Sequence, residues 1–272
     1  MRCHTCAAEV AAGRSDCDTC FTPVGQPPVR PDVRTYSVRV PGLAASVAVA
    51  LAMLAAAAAL LSPALGARLA RRAERDGDIA ALDQAAYLET VLGLGQIALV
   101  LAAAVLVIIW FYRAYRNLDA FPGAGSRLAA GWAIGGWFVP VVNLVVPFRV
   151  MADVARGSLW RLTTPALVWV WWLSYLVYLG ADRLVARADL AAYMALPHPS
   201  RPGGFAAYVD YYDRALLVNL VPLVAGVVAA ASFVLLALRI SRAQEARIDL
   251  ARPSAPVMPG MAVEAVSPAR SG

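Results

Sequence analysis

The chain has 272 residues, 60% of them apolar, with a mean hydropathy of +0.62 and a net charge of +6. So apolar a composition excludes an ordinary soluble domain, and so modest a charge, gathered into no stripe, gives no support for nucleic-acid binding. All 24 basic residues are arginine and alanine is abundant, which reads as the codon bias of a GC-rich bacterial genome.

Residues 1–20 form a small cysteine module. Cys3-His4-Thr5-Cys6 and Cys17-Asp18-Thr19-Cys20 are two CxxC knuckles that use every cysteine in the protein. Four thiolates at this spacing suit the tetrahedral shell of a closed, structural Zn²⁺ site, a zinc-ribbon-like module with no catalytic vacancy. Two disulfides or a redox-active CxxC are the competing readings, and a cytoplasmic N-terminus disfavours the first. His4 reads as a bystander. Ala7 and Phe21 stand where a glycine usually follows each knuckle.

Residues 21–41 carry five prolines and no helical period, and read as a semi-rigid linker. The first apolar run begins near Leu43, too far in for a cleaved signal peptide, so it is expected to be a retained span. Five windows lack any charge: 28 residues between Arg39 and Arg68, 23 between Glu89 and Arg113, 21 between Arg127 and Arg149, 20 between Arg161 and Asp182, and 24 between Arg214 and Arg239. Each is long enough for the roughly 20 helical residues that cross a bilayer core. The segment from Arg68 to Glu89 reads as a helical loop outside the bilayer, and about 33 residues separate the last two windows. A helical membrane domain is thus expected over residues 42–245, and a disordered tail over 246–272.

The third window differs from the rest. It contains Pro140, Pro147, several glycines and the amide Asn143, a composition that kinks or breaks a helix. If it enters and returns, or lies in the interface, 16 arginines fall on one side of the membrane and 8 on the other. That split places both termini in the cytoplasm by the positive-inside rule. If all five windows cross, the split is even. The expected fold is therefore all-α and integral to the membrane, with four transmembrane helices and one Pro/Gly-broken segment at 129–148. Five crossings remain the alternative.

The run from Phe111 to Ser158 resembles the bacterial membrane family known as domain of unknown function 4328. The features that carry the resemblance are Arg113, Arg116 and Asn117, followed by Trp132, Gly136, Trp137, Phe138, Pro140, Asn143 and Pro147. The resemblance covers about residues 45–245 and implies a multi-pass domain, often behind a zinc-ribbon or proline-rich N-terminus. It implies no activity. Asn143 has two readings, as a tie across a broken helix or as the lining of a pathway. Arg113, Arg116 and Arg149 set topology or meet anionic lipid headgroups.

No acidic, basic or histidine residue lies inside any window, and the metal-protease, serine-hydrolase and phosphate-loop motifs are missing. The expectation is a non-enzymatic protein of the bacterial cytoplasmic membrane that anchors a cytoplasmic zinc module for contact with a protein partner. The alternative is a transporter or channel for small solutes or lipids.

Overall fold

In a computed structural model that describes residues 1–77, 79–199 and 204–252, eight α-helices account for most of the chain. Among these residues no strand forms beyond two isolated bridges in the cysteine module. Helix α1 (Arg39–Ala59) runs almost directly into α2 (Leu61–Asp76). The break at Leu60 has a local cause. Pro63 has no N–H to offer the Ala59 carbonyl, and the Ser62 hydroxyl donates to it instead at 2.7 Å. Gly77, in the left-handed conformation at φ 66°, then closes α2.

Helix α3 (Ala80–Arg116) has 37 residues, about 55 Å of helix against a hydrocarbon core of about 30 Å. The segment expected as a helical loop is therefore two helical arms, the end of α2 and the start of α3. The second long connection is built alike. Helix α6 (Ala166–Met194) continues well past its apolar half, and α7 (Gly204–Val218) meets α8 (Leu220–Leu250) at Asn219, three residues before Pro222. These arms make a small lobe of their own around Ala67, Ala70, Ala81, Leu82 and Tyr212. Gly66 is required there, since a Cβ would stand 2.5 Å from the Tyr212 ring.

Among the described residues three stretches, Arg39–Asp76, Ala80–Ala120 and Gly204–Leu250, are long and apolar enough to cross a membrane. Only 6% of the most apolar part of Ala80–Ala120 is covered by protein, and Leu94, Ile97, Leu101 and Val105 are exposed. An apolar face of that extent suits lipid, not water. The apolar half of α6 contains Trp169, Trp171, Trp172, Tyr175 and Tyr178 in place of aliphatic residues.

The main core gathers near the end of the bundle that carries the cysteine module. Trp110 and Phe233 meet edge to face at 5.6 Å, Phe111 and Trp137 at 5.5 Å, and Leu236 and Ile240 pack beneath them. Helix α5 (Val146–Leu159) adds Val150, Met151 and Val154.

Residues 129–145 contain no helix longer than the four-residue α4 (Trp132–Gly135). A 3₁₀ turn follows at Val142–Leu144, and α5 then begins. Pro140 lies at the bend. Pro147 breaks nothing, because it occupies the first turn of α5, where a missing N–H costs no hydrogen bond. The two arms touch at Gly136, where a Cβ would lie 2.5 Å from Val146 Cγ1. The segment ends close to where it starts: Arg127 Nε is 3.8 Å from the Asp153 carboxylate, and Leu128 exchanges backbone hydrogen bonds with the Tyr115 hydroxyl.

Two boundaries move. Helix α1 starts at Arg39, inside the expected linker, because the Glu245 carboxylate caps it: Oε1 accepts from Ser37 Oγ at 2.7 Å, Val38 N at 2.7 Å and Arg39 N at 3.0 Å. Helix α8 runs to Leu250, past the expected end at 245, with Arg247 and Ile248 buried. Residues 253–272 of the expected tail lie outside the described residues.

Candidate metal centre and its seat on the helical bundle

The two knuckles fold as near copies. Ala7 N donates to Cys3 O at 3.0 Å, and Phe21 N to Cys17 O at 2.8 Å. Cys3 N pairs with Ala8 O, as Cys17 N does with Thr22 O. Each knuckle closes on a left-handed residue, Ala7 at φ 58° and Phe21 at φ 57°. The glycine positions therefore keep glycine's conformation without glycine, at a cost of about 1–2 kcal/mol each.

This geometry brings all four sulfurs within 4.8 Å of one another, with Cys3 Sγ 3.5 Å from Cys20 Sγ and Cys6 Sγ 3.6 Å from Cys17 Sγ. All four cysteines are free, and these separations are far beyond the roughly 2.05 Å of a disulfide. They approach the edge of about 3.8 Å that follows from Zn–S bonds of about 2.3 Å in a tetrahedron. The donor set fits a zinc ion. His4 is exposed beside the cluster.

The thiols do not ionise alike. Burial pushes Cys6 up to about 12. Burial also opposes ionisation of Cys17, but the N–H groups of Cys20 and Thr19 bring it down to about 7. A divalent cation bound here would resolve the conflict by holding all four as thiolates.

Arg247, on the last turns of α8, seats the module on the bundle. It is 3% exposed, and its Nε donates to Pro28 O at 2.7 Å. Nη2 donates to Pro122 O at 2.8 Å and reaches Thr22 Oγ1 at 3.5 Å, while the guanidinium lies 4.6 Å from the Phe121 ring centroid. Burial lowers its pKa to about 10, opposed by the sulfurs of Cys20 and Cys3. No carboxylate pairs with Arg247 among the described residues; four thiolates held by a metal ion would supply its counter-charge. Trp160 packs on the cluster from the end of α5, and a Cβ on Gly123 would come within 2.7 Å of Phe21 O. Composition and spacing pointed to the cysteines but not to Arg247, which looked like one of many tail arginines.

The remaining singled-out residues separate into two groups. Asn117 is buried at the end of α3, where its Oδ1 accepts from Tyr36 N at 2.7 Å and its Nδ2 donates to Tyr36 O at 2.8 Å. Arg113 Nη1 reaches Ser37 O at 3.4 Å, and Arg116 is half-buried nearby. These three lie at the seat of the module. Trp132, Trp137, Pro140, Asn143 and Pro147 belong to the folded-back segment. Gln244, Glu245 and Arg247, three of the last helical residues, complete the seat and carried no motif of their own.

A family model described as domain of unknown function (DUF4328) matches residues 73–241, more than half of the chain. The match includes the singled-out residues from Arg113 to Pro147 and stops short of Gln244, Glu245 and Arg247. No curated protein and no solved structure matches the chain. The chain belongs to the DUF4328 family.

Proposed function

We propose that this DUF4328 protein is a non-enzymatic, multi-pass protein of the bacterial cytoplasmic membrane that presents a zinc-loaded module to a protein partner. The observation that carries the reading is the buried Arg247, which ties Thr22 and Pro28, directly behind the module, to the bundle. A module held in this way is a rigid extension of the membrane domain, and its orientation toward a partner is set by the bilayer. The organisation we propose is a module at 1–20, a strap up to Ser37, and a helical membrane domain from Arg39 to Leu250.

The proposed topology has four crossings, α1, α3, α6 and α8, with residues 129–148 entering and returning. Supporting it are the contact between Arg127 and Asp153 and the exposed Trp169 of α6, which suits the bilayer and its interfaces. Both termini are assigned to the cytoplasm. The 16-to-8 arginine split supports that side, and Arg247 meeting Pro28 supports a common end. Arg113, Arg116 and Arg149 then lie at the inner leaflet, within reach of anionic headgroups.

A photo-crosslinking residue at the exposed Ala11, in native membranes, tests the role. A discrete adduct is expected from the wild-type module, lost in the Cys3→Ser/Cys20→Ser variant while membrane insertion persists. Identical adducts with and without the two cysteines would refute the docking role.

A further inference from the structure

We infer that a cavity between the long helices and the folded-back segment binds a neutral, single-chain lipid through its hydroxyl group. The inference rests on the four-crossing reading, which puts the cavity at membrane depth, and not on the docking role.

The cavity holds about 340 Å³. It is walled by Met53 of α1, Ala104 of α3, Tyr175 of α6 and Gly226 of α8, and bordered by Trp137 and Asn143 of the folded-back segment. Gly226 shapes one wall, since a Cβ there would come within 2.8 Å of Met53 Cε and 3.1 Å of Tyr178 Cδ2. Phe138, which also borders the cavity, is 71% exposed and faces the surroundings of the bundle.

Among the described residues, two that border this cavity each carry a buried polar atom with no partner. The side-chain oxygen of Asn143 and the indole N–H of Trp137 are both buried and make no hydrogen bond. Leaving either unpaired at membrane depth is costly. One acceptor and one donor bordering the same space call for a group that both donates and accepts, and a hydroxyl does so with a single atom. Among the described residues no acidic, basic or histidine side chain lines the cavity, which disfavours a charged head. The volume is at the low end for ligand sites, which favours one chain over two. A monoacylglycerol has this chemistry, and the lipid phase is its source.

The probe is a diazirine-tagged monoacylglycerol, applied to the full-length protein in phosphatidylcholine nanodiscs, with a diazirine alkane of equal length as control. The monoacylglycerol should label peptides containing Trp137 and Tyr175, and unlabelled monoacylglycerol should compete. Asn143→Leu should weaken binding about three- to tenfold, the worth of one hydrogen bond. Ala104→Phe, which fills the space from a partly lipid-facing position, should abolish it. Equal labelling by the alkane, or labelling insensitive to both substitutions, would overturn the inference. Competition on the unsubstituted protein decides the matter if a variant does not fold. Impermeant labelling at residues 126 and 162, run in parallel, separates the two failures. Opposite faces there would overturn the four-crossing reading and the inference with it, whereas a shared face with no competed adduct overturns the inference alone.

Discussion

The side-chain amide of Asn117 donates to the side-chain oxygen of Gln244 at 2.8 Å, and both residues are fully buried. Gln244 in turn donates to Ala114 O at 3.0 Å and to Ser158 Oγ at 2.8 Å. Two amides thus tie α3, α5, α8 and the strap at Tyr36 together. Asn117→Leu strands the Tyr36 backbone groups and Gln244, and should cost about 1–3 kcal/mol for each group left unpaired. Gln244→Leu should cost a similar amount. Because the two share one network, the double variant should lose clearly less than the sum. Chemical unfolding in detergent measures this, and strict additivity would contradict the network.

The purified protein should carry about one zinc per chain, since four thiolates close a tetrahedral shell. Cys3→Ser combined with Cys20→Ser, which removes the two sulfurs 3.5 Å apart, should abolish it and leave membrane insertion intact. Unchanged metal content, read by atomic emission, would rule the centre out.

Glu245 should impose a pH dependence. Burial works against its ionisation, but the donors Ser37, Arg39 and Val38, and the charge of Arg252, hold its pKa below the ordinary value. A folded-state pKa below the unfolded one gives stability that is present above the unfolded value of about 4.3 and is lost as pH falls through the folded one. Wild-type melting temperature should therefore drop more steeply on acidification below about pH 4.5 than that of Glu245→Gln. At pH 7, Glu245→Ala should cost about 1 kcal/mol through loss of the α1 cap. Parallel acid profiles for wild type and Glu245→Gln would show that the cap does not depend on charge.

Residues 126 and 162 flank the folded-back segment and α5, and both are exposed. In a background with the four native cysteines changed to Ser, Ser126→Cys and Leu162→Cys should react with an impermeant thiol reagent from one and the same face. Labelling from opposite faces would restore a fifth crossing.

Adjacent glycines in the same segment should behave differently. Gly136→Ala drives a Cβ to 2.5 Å from Val146 and should cost about 1–3 kcal/mol. Gly135→Ala meets nothing within 4 Å and should be close to neutral. Equal thermal shifts for the two would mean that the arms do not touch at Gly136.

Apolar content and charge-free runs announced the long helices, because in a bilayer every backbone group must be paired within its own segment and side-chain transfer dominates the energetics. The two CxxC knuckles announced a four-sulfur cluster for a similarly local reason: ligand spacing is set along the chain. Pro140 and the glycines beside it announced a broken third window. Tertiary packing alone decided what these pieces do to one another. Nothing local separates Arg247 from the other arginines near it; its role arises because folding buries it beside sulfurs more than 220 residues away in the chain. Glu245 reads as one more exposed acid until the start of α1 is brought to its carboxylate. Pro147 reads as a second breaker until α5 places it in a first turn. For Arg247 and Glu245 the deciding partner is far off in sequence, and only the packed bundle sets the distance that makes the interaction.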